Sequence, residues 1–374
     1  MLKRTLAVVC AGLFIASATA WAQNVGQGLE PEPDQSTTRV GTRGANFLEI
    51  PVGARAQALG ATGVALIRGP ESMAWNVGAV AEVEAFSLGF SYSELFADAD
   101  ITHQFASAVF PLNDVSAVGA SVVILDSGDM LRTSERFPDG GDPQFGETFD
   151  WTGFAGSLAY ARRITDRLSF GFALKYVSEG ITDAKATWLG GDVGALFRTG
   201  LVGATIGGSI QNIGGEAGFE GSATKRTVGQ GTDAFPTTDN IPVTFDTRQL
   251  LLPTAFRFSV LFDVTGTAEA WLPQVGLEHK TRFVADFYDS IDTALEPSVG
   301  LEYSYKDFVF ARVGKQWVNE DRDEDFRDFW TGAAVGGGIK IPLSERYSLG
   351  VDYAYTNMRS LDNVQTFSFN FGVF

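Results

Sequence analysis

The chain offers little with which to do covalent chemistry. Its two histidines, His103 and His279, lie far apart. Neither belongs to a His-Glu-x-x-His helix, and no Gly-x-Ser-x-Gly elbow supplies a nucleophile. Both read as strand residues facing solvent or a lumen. The single cysteine, Cys10, falls in an N-terminal apolar run. The rest of the chain therefore has neither thiol chemistry nor a disulfide framework. The run Asn319-Glu320-Asp321-Arg322-Asp323-Glu324-Asp325 gathers carboxylates, and oxygen-rich clusters suit Ca²⁺. Arg322 interrupts it and no EF-hand glycine or spacing is present, so it reads as a solvated acidic loop. No catalytic residue, cofactor or metal site is expected, and the protein is not expected to be an enzyme. What stands out is Arg55, set among small residues, with Trp75 and Asn76 further along. A guanidinium in such a stretch has no local partner. It is expected to pair with carboxylates carried elsewhere, Glu302 or Asp352.

The stretch holding Arg55 is residues 45–81. Gly, Ala and other small residues dominate it, including Gly60 and Gly63, and Pro70-Glu71 reads as a short helix start. Small side chains let backbones approach closely. A plug folded inside a lumen and a helical cap on a β-domain satisfy this equally.

From Glu84 onward the pattern is strands and turns. Phe86, Leu88, Phe90 and Tyr92 alternate with Ser87, Gly89 and Ser91; Leu168, Phe170, Phe172 and Leu174 alternate with Ser169, Gly171 and Ala173. Alternation of period two puts large apolar residues on one face of a strand and small or polar ones on the other. Such segments fall near 84–93, 101–110, 115–125, 151–163, 168–179, 187–199, 202–212, 251–263, 270–286, 296–306, 308–317, 329–341, 346–356 and 364–374. That makes about fourteen strands, an even number as single-chain bacterial barrels require. The last of them carries Phe367, Phe369 and Phe371 on one face and ends on Phe374, which is out of phase with them. This ending resembles the C-terminal insertion signal of bacterial outer-membrane proteins, which implies handling by the barrel-assembly machinery and contact with outer-membrane lipid.

The start of the chain is an address. Lys3 and Arg4 precede an apolar run too short to span a bilayer, and Ala20-Trp21-Ala22 fits the small-x-small cleavage rule. Residues 1–22 are expected to be a signal peptide, 23–44 a flexible periplasmic arm, 45–81 a plug and 82–374 the barrel, located in the cell outer membrane. The formal charge of −17 leaves no basic stripe to neutralise phosphates, which argues against nucleic acid. Phe at 30 and Gly at 43 of 374 residues suit a lipid-facing wall of small and aromatic residues. The fold class is all-β, a transmembrane antiparallel barrel with an N-terminal plug. A large soluble sandwich would share the alternation of any one strand. It need not share the alternation of connections, short around 111–114, 165–167, 199–201 and 343–345 and long at 126–150, 213–250, 287–295 and 318–328. The short set is expected to be periplasmic and the long set extracellular. Phe219, Phe235, Ile241, Val243 and Phe245 in the second long loop would form a partner surface or ligand entrance, or fold the loop onto the rim.

The succession Phe47-Leu48, Gly53-Ala54-Arg55-Ala56, Leu59-Gly60, Gly63-Val64-Ala65 and Trp75-Asn76 resembles the N-terminal signature of the PorV/PorQ family, within the wider FadL-like barrels. Val77 stands where that family usually has Pro. The PorV/PorQ resemblance implies an accessory or shuttle role in type IX protein secretion and surface attachment. Its partners would be the type IX translocon and substrates bearing its C-terminal domain. The wider FadL-like resemblance implies passive transport of a hydrophobic ligand through a plugged lumen and a lateral opening. On either, Arg55, Gly60, Gly63, Trp75 and Asn76 are expected to anchor the plug.

Overall fold

The computed structural model describes residues 41–96, 99–133, 136–141, 148–181, 183–229, 240–273, 275–317, 330–344, 347–358 and 362–372. Residues 1–40, which include the expected signal peptide, the acidic run 319–325 and Phe374 lie outside them.

The alternating segments become strands that each pair with the next in sequence. They are β1 (Ser87–Leu95), β2 (Ile101–Asn113), β3 (Ser116–Asp126), β4 (Trp151–Arg163), β5 (Leu168–Ile181), β6 (Ala184–Arg198) and β7 (Thr205–Gly214). The other half comprises β8 (Ala255–Thr265), β9 (His279–Ser290), β10 (Glu296–Tyr305), β11 (Val309–Gln316), β12 (Ala333–Pro342), β13 (Ser348–Asn357) and β14 (Asn363–Gly372). Together they form one closed antiparallel barrel. Closure runs from Leu88 opposite Phe371 to Leu95 opposite Val364, so the sheet keeps no free edge.

The two faces of the wall follow the sequence pattern. Leu158, Leu174 and Leu189 are among its most exposed residues, at 68%, 69% and 74%. Ser91, Ser259 and Ser368, at inward positions, are buried. Among the described residues no helix is long and apolar enough to cross a membrane; an apolar outer face on closed strands is the other way to cross one. Aromatic pairs reinforce that face across strand pairs, Tyr347 on Phe371 at 5.2 Å and Tyr353 on Phe367 at 4.9 Å between ring centroids.

One end of the barrel carries short turns at 114–115, 164–167, 306–308 and 343–347. The other carries the long connections, with small hairpins such as Lys225–Gly229 paired with Asn240–Thr244. Three connections depart from the expected alternation. Residues 287–290, expected in a long connection, belong to β9, which leaves five residues before β10. At the loop end, β5 and β6 are joined by a tight turn, and they are the longest strands, extending the wall instead. At the short-turn end, the residues expected to begin a strand at 270 form the turn before β9. Gly266 takes a φ of 85°, and the Trp271 and Leu272 amides donate to the Asp263 and Val264 carbonyls at 3.0 and 2.8 Å. Those carbonyls lie beyond the end of the β7 ladder, which stops at Leu261 opposite Thr205.

Candidate functional site

The inward face of the wall mixes small residues with Glu302, Arg312 and Trp188, and residues 42–83 make contacts along it, from Asp292 to Arg198. At the loop end, Thr42 donates to Asp292 at 3.0 Å and Arg43 lies 3.6 Å from the same carboxylate. The Gly44 amide donates to the Leu251 carbonyl. Residues 42–44, at the end of the stretch expected to be a periplasmic arm, are thus tied to Asp292, between β9 and β10, and to Leu251, between β7 and β8. A turn at Asn46–Glu49 then puts Phe47 into a cluster with Val177, Ala186 and Trp188. Glu49 accepts hydrogen bonds from Tyr288 and Ser290, both at 2.6 Å.

The helical turn α1 (Ala54–Gln57) presents Arg55 to the wall. Its Nε and Nη2 donate to the two oxygens of Glu302 at 2.9 and 2.8 Å. Of the two carboxylates expected from the sequence, Glu302 takes Arg55 directly. Asp352 joins through Arg312, which donates to both Glu302 and Asp352. Arg282 approaches Glu302 at 3.6 Å. A planar guanidinium meeting a carboxylate by two parallel bonds fixes orientation as well as charge.

Gly60, at φ 74°, brings the segment against the wall backbone at Lys315, and a Cβ on wall residue Gly314 would collide with Leu59 and Gly60. Here the abundant lumenal glycine has a direct use: backbone packs on backbone. Asp286 accepts from the amides of Gly63 and Val64 at 2.9 and 3.4 Å.

The second helical turn, α2 (Ser72–Trp75), follows Pro70 and buries Glu71. Burial, then the neighbouring Asp352 carboxylate, push the Glu71 carboxyl up to about 7; Asn370 donates to it at 3.1 Å. Trp75 donates its indole N–H to the Val52 carbonyl at 2.9 Å, packs over Gly63, and carries the Arg257 guanidinium 4.9 Å from its ring. Asn76 links both sides. Its Nδ2 donates to Val64 at 3.0 Å within the segment and to Ala195 at 2.9 Å on the wall. Its Oδ1 accepts from the Gly78 amide and caps the turn Val77–Glu82. At the short-turn end, Glu82 pairs with Arg198 and accepts from Ser169.

The structure thus gathers Arg55, Gly60, Gly63, Trp75 and Asn76 in one lumen, while Phe367, Phe369 and Phe371 stand apart on the last strand. Sequence reasoning missed Arg257, stacked between Trp75 and Tyr288, and Lys175, bonded to Asp192 and Asn212 at 2.8 and 2.7 Å. Each is one charge in a strand pattern that marks only face. It also missed Asn212, whose φ of 57° accompanies a slip in the pairing of β6 with β7. His279 lies near the short-turn end, bonded to Tyr303 at 2.7 Å.

Between the segment and the wall is a cavity of about 40 Å³. Its apolar lining includes Phe47, Val52, Met73, Phe105 and Val123, and its polar lining includes His103, Ser121, Ser157 and Arg257. On the outer face of the same wall, an apolar groove of about 520 Å³ lies over β2 and β3, bordered by Leu88, Phe90, Phe369 and Phe371.

This closed barrel matches solved structures over most of its length. The toluene transporter TbuX of Ralstonia pickettii aligns with a TM-score of 0.51 at 12% identity, covering 85% of this chain and 96% of that one. The Pseudomonas putida toluene transporter TodX gives 0.51 at 11%, covering 85% and 96%. A Pseudomonas aeruginosa FadL homologue gives 0.50 at 13%, covering 86% and 98%. The fold is that of the FadL-type barrels. No family model and no curated protein matches the chain. The shared FadL-type architecture explains why the wall aligns while so few residues are the same: strand pattern survives almost any exchange within each face.

Proposed function

We propose that this protein sits in the outer membrane and passes hydrophobic small molecules, with residues 45–81 as its plug and the wall at β2 and β3 as the way out. The observation that carries this reading is the pairing of cavity and groove. The inner cavity and the outer apolar groove face each other across one patch of wall, and Ser121 borders both. The patch is built from Ala106, Ser107, Ala108, Ala120 and Ser121, side chains small enough to leave little bulk between lumen and lipid. An apolar molecule leaving sideways avoids the water on either side of the membrane. Two of the structural neighbours are named as toluene transporters, which supports the same class of cargo. The leader at 1–22 would direct export, and Phe367, Phe369, Phe371 and Phe374 would serve as the insertion signal.

The test is uptake of labelled toluene by cells with and without the protein, beside a variant in which Ala108→Trp and Ala120→Trp fill the groove. Uptake above the empty-cell level, cut back by the two tryptophans, is the expected result. Equal uptake with and without the protein overturns the reading. A type IX shuttle role rests on the signature alone. Arg55, Trp75 and Asn76 hold the segment in the lumen, a duty both roles require. Co-purification of a translocon barrel or of substrates with its C-terminal domain would favour secretion.

A further inference from the structure

His103 stands at an inward position of β2, opposite Ser93 on β1 and Leu125 on β3. It is 2% exposed, and its Nε2 has no hydrogen-bond partner. A buried polar atom left so loses its hydration without replacement, and such atoms in native proteins call for an explanation. His103 also lines the lumenal cavity, beside Phe105, Met73 and Val123. Two of the other long polar side chains there are already engaged. Gln211 donates to the Ala74 and Trp75 carbonyls, and Lys175 to Asp192 and Asn212. Arg257 lies with its guanidinium 4.9 and 4.1 Å from the Trp75 and Tyr288 ring centres, and its Nε, like the Nε2 of His103, has no hydrogen-bond partner.

We infer that His103 is a specificity-determining residue: it hydrogen-bonds the polar group of a mainly apolar cargo that carries one neutral hydrogen-bonding group, such as a hydroxyl. This inference rests on the transport reading and narrows it, favouring such molecules over plain hydrocarbons. The cavity has room for a hydroxyl or a water and not for a whole ring. A larger body enters as Met73, an unbranched and flexible side chain on the same lining, gives way.

The test compares p-cresol with toluene, which differ by one hydroxyl, binding to the full-length protein in lipid nanodiscs with empty nanodiscs as the blank. The readout is the ratio of the two affinities in the wild type, in His103→Leu and in His103→Gln. The ratio should fall roughly three- to tenfold in His103→Leu, the size of one net hydrogen bond. It should recover in His103→Gln, which keeps a donor and an acceptor. Binding of both compounds with a ratio that neither substitution moves overturns the inference and leaves transport standing; His103 then bonds water only. Binding of neither compound overturns the transport reading and this inference with it.

Discussion

The wall and the segment it encloses are built on opposite principles. The wall is a continuous ladder of backbone hydrogen bonds, closed on itself from β14 to β1. Away from the contacts with the segment, its side chains need only be large outside and small inside. The segment from Thr42 to Val83 has almost no regular structure beyond turns of four to six residues. It keeps its place through named contacts: Arg55 with Glu302, Asn76 with Ala195, Asp286 with the Gly63 amide, and Glu82 with Arg198. A structure spread over many interchangeable pairs tolerates substitution, whereas one hung on a few polar contacts depends on each.

Glu302→Ala should have the largest effect. It leaves Arg55 and Arg312 buried without the carboxylate they share. Removing one partner of a buried ion pair costs roughly 3–5 kcal/mol, and thermal unfolding would show it. An unchanged melting temperature would mean that the segment is held some other way. Asn76→Ala comes next. It removes three hydrogen bonds at once and strands the Gly78 amide and two carbonyls, at about 1–3 kcal/mol for buried groups left unsatisfied. The expected readout is earlier proteolysis of the segment with the barrel still intact.

The legibility of the two regions follows the same division. Alternation alone placed the strands, most within a few residues, because a lipid face and a lumen face impose period two on every one of them. It failed at 270–278, where an apolar stretch docks on the exposed end of β8 as a turn. For the segment, the sequence indicated Arg55 and offered Glu302 and Asp352 as its partners, and Glu302 takes it directly. It did not place residues 42–44 beside Asp292, because no local pattern says which mouth a segment enters. Nor did it reveal the cavity at His103 or the groove over β2 and β3, which exist only once distant strands stand side by side.

Glu71 gives a finer test of the segment's dependence on single groups. Its carboxyl is raised from 4.5 to about 7 by burial and by Asp352. The packed segment therefore keeps a proton that the released one gives up. Packing should weaken as pH climbs from about 4.5 through about 7, with the full cost above. Glu71→Gln should abolish that slope and be the more stable form at pH 8, measured by unfolding at pH 5 and pH 8. A wild type equally stable at both would refute it. The smallest effect is expected on the wall. Leu174, 69% exposed on the outer face, should tolerate replacement by Ala within about 0.5 kcal/mol, again by unfolding. A loss of several kcal/mol there would show that the wall also hangs on single residues.

A lumen filled by the segment offers ions no water column through the barrel. Ionic conductance of the intact protein in a planar bilayer tests this most directly. The filled lumen predicts no steady conductance from the wild type and a measurable one from Arg55→Ala, in which the segment loses its hold on Glu302. Steady, porin-like conductance from the intact protein would contradict it.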